Sequence, residues 1–135
     1  MSAVDALATV PLFESLSEEE RRELAGWFDV QTTSRGVKLA GEGAAGYSFF
    51  VILEGSAEVT EDGTVLAELA AGDFFGEMAI LGDGRRVATV TTTSPARVLV
   101  MFGTEFRRLE QERPEIAAKI EESMRRRLDA NAEKR

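Results

Sequence analysis

The apolar positions change their spacing twice along the chain. The first segment has a helical start signal: Ser17 followed by Glu20 fits a capping box, with Glu18 and Glu19 suited to a first turn. The helix is expected to end near Gly26. Ahead of it, Val10-Pro11-Leu12-Phe13 is a short apolar stretch expected to dock on the strands that follow. From Trp27 to Phe102 the pattern becomes that of strands. Residues 28–33, 37–40, 47–53, 57–60, 65–69, 87–93 and 97–102 are short runs rich in β-branched or aromatic side chains, bounded by Gly, Ser, Asp or Pro. Glu61-Asp62-Gly63-Thr64 reads as a hairpin turn between two of them. After Gly103 the helical period returns. Phe106 and Leu109 are three apart, and Pro114 suits the first turn of a further helix. Ile116, Ile120, Met124 and Leu128 then fall four apart and form one apolar stripe.

This order predicts an α+β chain that is mainly β: an antiparallel jelly-roll barrel with an N-terminal helix and two C-terminal helices. A chain of 135 residues suits one core, so residues 1–135 are expected to form a single domain. Its parts are a helical segment over 1–26, a barrel over 27–102 and helices over 103–135. The apolar spacing runs out near Asp129.

Composition narrows the chemistry. There is no cysteine and no histidine, so a disulfide framework is excluded and the commonest metal ligand and general base are missing. A metal-dependent, cupin-like enzyme is therefore disfavoured, and neither a catalytic residue nor a metal ligand is expected. The net charge of −8 argues against nucleic-acid binding, which needs a basic surface. That charge is uneven: residues 1–102 hold 7 basic and 16 acidic groups, residues 103–135 hold 9 and 8. An acidic body that takes an anion must do so through a tight local site. No apolar run reaches membrane-span length and the N-terminus lacks a basic signal region, so a cytoplasmic protein with no membrane association is expected.

One stretch, residues 73–90, breaks the strand rhythm. Glu77 to Leu81 reads as a single helical turn beginning after Gly76, where free backbone N–H groups suit an anion. A Gly-rich loop then leads to Arg85 and Arg86. Arginine offers a fixed fork of donors that matches phosphate oxygens, whereas a carboxylate such as Glu77 repels phosphate and is better suited to sugar hydroxyls. Gly, Glu and Arg together describe a ribose-phosphate clamp. Each residue also has an ordinary explanation: Gly76 in a turn, Glu77 as a first-turn helix charge, Arg86 in a surface ion pair with Glu77 or Asp83. Arg85, on the opposite strand face from Arg86, is expected in solvent.

The stretch resembles the phosphate-binding cassette of cyclic-nucleotide-binding domains. Phe75-Gly76-Glu77-Met78-Ala79 and Arg86-Val87-Ala88-Thr89-Val90 carry the resemblance with the family's spacing. It extends to Pro11-Leu12-Phe13, Leu16-Ser17, Glu42-Gly43, Gly46-Tyr47-Ser48-Phe49-Phe50, Glu54-Gly55-Ser56-Ala57-Glu58-Val59, Phe106-Arg107-Arg108-Leu109 and Arg113-Pro114. The resemblance implies that Arg86 pairs with a cyclic phosphate, aided by the backbone N–H of Val87 or Ala88. It implies that Glu77 accepts from the ribose 2′-hydroxyl with Gly76 beside it, and that Met78 and Ala79 line the sugar and base. A residue of the last helix caps the base, and Met124, Arg127 and Leu128 are candidates by position, although Met124 also fits a core stripe. Val87 departs from the pattern. It stands where many cGMP-selective members have Thr or Ser, so the ligand is expected to be cAMP rather than cGMP. The expected function is a cyclic-nucleotide sensor, with an effector protein or a homodimer as partner. Dimerisation through the Ile116–Leu128 stripe is one form of that expectation. A ligand-free interaction module that keeps the barrel is the alternative, and Val87 is the residue that favours it.

Overall fold

A computed structural model describes residues 3–40, 48–76 and 89–133. It groups the chain into two compact units, one of residues 28–103 and one of residues 1–27 with 104–135.

The strand unit contains β1 (Asp29–Thr33), β2 (Lys38–Ala40), β3 (Ser48–Glu54), β4 (Ser56–Glu61), β5 (Thr64–Ala70), β6 (Phe74–Phe75), β7 (Thr89–Thr92) and β8 (Ala96–Phe102). They form two four-stranded antiparallel sheets, in the orders β1-β8-β3-β6 and β2-β7-β4-β5. Closure into one barrel is not among the described pairings. Alternating side chains from both sheets make the core. Phe50 and Ile52 of β3, Phe75, Val98 and Val100 from one sheet meet Ala57 of β4 and Val90 of β7 from the other. Burying a large aliphatic or aromatic side chain is worth about 1.5–3 kcal/mol, so this cluster is the main source of stability in the unit.

Turns follow the sequence. Asp62 and Gly63 both have positive φ, 51° and 80°, the signature of the tight hairpin turn expected between β4 and β5. β2 is held to β7 by a side chain as well as by the ladder. Buried Thr92 Oγ1 accepts from the Val37 N–H at 2.8 Å and donates to the Ser34 carbonyl at 2.8 Å. β6 was not legible as a separate strand, because two residues are too few to show a period.

The helical unit contains α1 (Ala3–Thr9), a 3-10 turn over Pro11–Phe13, α2 (Glu18–Ala25), α3 (Gly103–Glu112, whose first residue belongs to the strand unit) and α4 (Pro114–Glu133). The capping box at Ser17 is complete. Its hydroxyl accepts from the Glu20 N–H at 3.1 Å, and Glu20 returns the contact to the Ser17 N–H at 2.9 Å. The helix ends at Gly26 as expected. α1 had no start signal in the sequence. Leu12 and Phe13, expected to dock on the strands, are buried and belong to the helical unit. Pro114 opens α4, and Ile116, Ile120 and Met124 are buried, as the four-residue stripe requires. α4 continues to Glu133, past the point where the apolar spacing ends.

Candidate functional site

Gly76 is the one cassette residue from the predicted site that lies among the described residues. Glu77, Met78, Ala79, Arg86, Val87 and Ala88 lie outside them, as does the predicted helical turn over Glu77–Leu81. The structure does describe both anchors of that segment. On one side, β6 pairs with β3 in the register Phe50↔Phe75 and Val51↔Phe74. The Phe50 and Phe75 rings stack with centroids 4.6 Å apart and planes 10° from parallel. The corner before β6 is closed by backbone bonds from Gly72 N–H to the Ile52 carbonyl at 2.8 Å and from Ile52 N–H to the Asp73 carbonyl at 2.9 Å. The Asp73 carboxylate also accepts from the Ala70 N–H at 2.8 Å.

The next residue, Gly76, has φ +84°. A Cβ there would overlap the Ser48 carbonyl oxygen and lie 3.1 Å from its carbon. The position thus demands glycine twice, for its dihedral and for the approach of β3. Phe75 is part of the motif, whereas Ser48, whose carbonyl Gly76 must clear, reads only as a strand residue. Only the motif's glycine hints at that contact.

On the other side, Thr89 begins β7, which lies between β2 and β4. Residues 77–88 therefore lead from a strand of one sheet to a strand of the other.

The candidate lid residues divide. Met124 is fully buried, as a core residue would be. Arg127 donates to the Pro11 carbonyl at 2.8 Å and lies 3.5 Å from the Glu14 carboxylate. Leu128 falls within α4, but its side chain lies outside the described set. Two further links hold α4 to α2. Lys119 donates to Glu20 at 2.7 Å, and Arg113, just ahead of α4, pairs with Glu23. The Lys119 and Ser17 contacts hold the Glu20 carboxyl below its ordinary value. Burial, followed by a hydrogen bond with Glu110, pushes the Glu121 carboxyl up.

No helix among the described residues is long and apolar enough to cross a membrane. Among them there is also no group of three or more His, Cys, Asp or Glu side chains placed to hold a metal ion.

Comparison with known proteins supplies the rest. The profile described as "Cyclic nucleotide-binding domain" matches residues 30–113. A cAMP-dependent protein kinase regulatory subunit of Mycosarcoma maydis is 40% identical over 112 residues, covering 76% of this chain and 21% of that protein. The cGMP-dependent protein kinase, isozyme 1, of Drosophila melanogaster is 33% identical over 116 residues, covering 80% of this chain and 15% of that protein. Among solved structures, cAMP-bound PfPKA-R (141-441) superposes with a TM-score of 0.80 at 26% identity, covering 96% of this chain and 44% of that one. The chain thus spans about a fifth of the first of these relatives and less of the second. With that profile matching most of its length, the chain belongs to the cyclic nucleotide-binding domain family.

Proposed function

We propose that this domain is a sensor that binds one cyclic purine nucleotide reversibly, cAMP in preference to cGMP, and performs no chemistry on it. The observation that carries the proposal is the family match over residues 30–113, within which Gly76, Glu77 and Arg86 stand at the family's spacing. Arg86 pairs with the cyclic phosphate, together with the backbone N–H of Val87 or Ala88. Glu77 takes the ribose hydroxyl, and Met78 and Ala79 line the sugar and base. In a chain of net charge −8, a guanidinium fork and backbone donors let an anion bind locally. Two observations favour cAMP. Val87 offers no side-chain donor, and the relative named for cAMP is more similar than the one named for cGMP.

The output is a population shift. Bound nucleotide favours a state in which the far end of α4 covers the base, with Met124, Arg127 or Leu128 as the cap. The shift is limited to the ligand's differential affinity for the two states. The hold of Pro11 and Glu14 on Arg127 supports a switch with a defined resting position. Strand orders 1-8-3-6 and 2-7-4-5 support closure of the two sheets as a jelly roll. The protein acts in the cytoplasm through an effector protein or a homodimer.

Calorimetric titration of refolded, nucleotide-free protein with cAMP and then cGMP tests the proposal. Saturable one-to-one binding, tighter for cAMP, is the expected result. No heat with either nucleotide and an unshifted Tm at high nucleotide concentration would assign the domain instead to ligand-free protein interaction, the reading in which the bulk of Val87 weakens the site.

A further inference from the structure

β5 closes one end of the sheet β2-β7-β4-β5 and is bonded to β4 along one side only. No strand pairs with its other side among the described residues, although at its last residue Asp73 bonds both the Ala70 N–H and the Ala70 carbonyl. Six of its seven residues are exposed. Val65 and Leu66, at 51% and 56%, are the two most exposed large apolar side chains among the described residues. Natural edges of this kind are commonly blunted by Lys or Pro. β5 has neither; its protection is limited to one charge, Glu68, and a bulge near the hairpin turn.

The register shows what its outer face carries. Ala57 pairs with Leu69 on the core side, since Ala57 is buried and Leu69 packs against the core cluster. Alternation then turns the next pair, Glu58↔Glu68, outward. Thr60↔Val65 points the same way, with Leu66 as the extra residue of the bulge. Like charges directly opposite each other disfavour a sheet. Among the described residues neither Glu58 nor Glu68 has a cationic partner. Lys38 stands in the same row but one strand further on, beyond Thr91, and between Lys38 and Arg85 the sequence has nine Asp and Glu and no Lys or Arg.

We propose that the outer edge of β5 receives an extended, basic segment of a partner protein, which adds to the sheet as a fifth strand. The outward backbone groups of β5 ahead of Ala70 supply the hydrogen bonds. A Lys or Arg of the segment lies opposite Glu68 and relieves its repulsion with Glu58, and an apolar residue beside it covers Val65 and Leu66. The charge of the edge selects this partner over a second copy of an acidic chain. The proposal stands apart from nucleotide binding.

The test uses the full chain and a blocked heptapeptide alternating Val and Lys, followed by calorimetry and by amide NMR shifts. Saturable one-to-one binding with shifts confined to residues 64–70 is expected. Glu68→Lys should weaken it on the order of tenfold, with Glu68→Gln intermediate, because reversal adds repulsion to lost attraction. A peptide of equal charge with proline at its centre should bind at least about tenfold more weakly, since proline removes a ladder donor. Equal affinity for the proline peptide would reduce the effect to charge attraction and overturn the proposal, as would unchanged binding by Glu68→Lys. Sedimentation showing a dimer that Glu68→Lys dissociates would overturn it in favour of a second copy.

Discussion

Glu20 and Lys119 meet at 2.7 Å across 99 residues of sequence, and the carboxylate oxygen that receives Lys119 is the one that also accepts the Ser17 N–H. A single atom thus finishes the cap of α2 and fastens α4 to it. Glu20 is well shielded, with 13% of its side chain exposed, whereas Lys119 is 42% exposed. The two ends of the bridge therefore differ in what their removal costs.

Glu20→Ala is expected to destabilise the protein by about 1.5–3 kcal/mol, because it loses a cap bond and a charge-assisted bridge together. Lys119→Ala should cost less, about 0.2–1 kcal/mol, since it leaves the capping box intact. Urea unfolding of both variants and the double variant checks this, and the effects should not add. The Lys119 and Ser17 contacts depress the Glu20 carboxyl below 4.5. Its contribution is thus present above the unfolded value and lost as pH falls through the folded one. Glu20→Ala should flatten the acid limb of the stability curve.

Glu121 has the opposite sign. Burial and its neighbour Glu110 favour the protonated form in the folded chain, against the opposing charges of Arg107 and Arg125. Its contribution is present below its ordinary value and is lost as pH rises through the raised one. Glu121→Gln is expected to raise Tm at neutral pH and to leave it nearly unchanged in acid. Thermal unfolding between pH 4 and 8, at about one-unit steps, measures the difference.

Gly76 and Gly55 separate folding from binding. Gly76→Ala forces a side chain onto the Ser48 carbonyl at φ +84°, a strain of about 1–3 kcal/mol that also shifts the start of the cassette. Gly55→Ala meets the Pro95 carbonyl at φ +92°, at the β3–β4 turn. Both variants should melt lower. Only Gly76→Ala should also lose cAMP affinity when titrated below its melting range.

Arg86→Ala should weaken cAMP binding by about 1.5–3 kcal/mol, the worth of a charge-assisted contact. Val87→Thr should narrow the preference for cAMP over cGMP by about 0.5–1.5 kcal/mol, one added hydrogen bond. Titration of both nucleotides against each variant gives both numbers, and an Arg86→Ala protein that binds as tightly as wild type would remove Arg86 from the site.

The parts of the fold that local chemistry dictates were legible in the sequence. Ser17 and Glu20 announced their helix, Asp62-Gly63 their turn, and Pro114 and the stripe through Met124 the last helix. α1 and β6 were not, because a seven-residue helix without a cap signal and a two-residue strand carry too little pattern. At the site, the glycine at 76 was legible as a motif. Its need to clear Ser48 was not, because that contact depends on how β6 lies on β3. The partners of Arg127 were equally hidden: Pro11 lies 116 residues away, and nothing in a surface arginine names a distant carbonyl.

The chain enters the strand unit through β1 and leaves it through β8, and these two strands are neighbours, with Asp29 opposite Val100. A unit whose way in and way out lie side by side needs only one point of attachment. It can be spliced into a host protein at one point and need not pull the host's flanking segments apart. The relatives that the chain matches are several times its length, as such a placement allows.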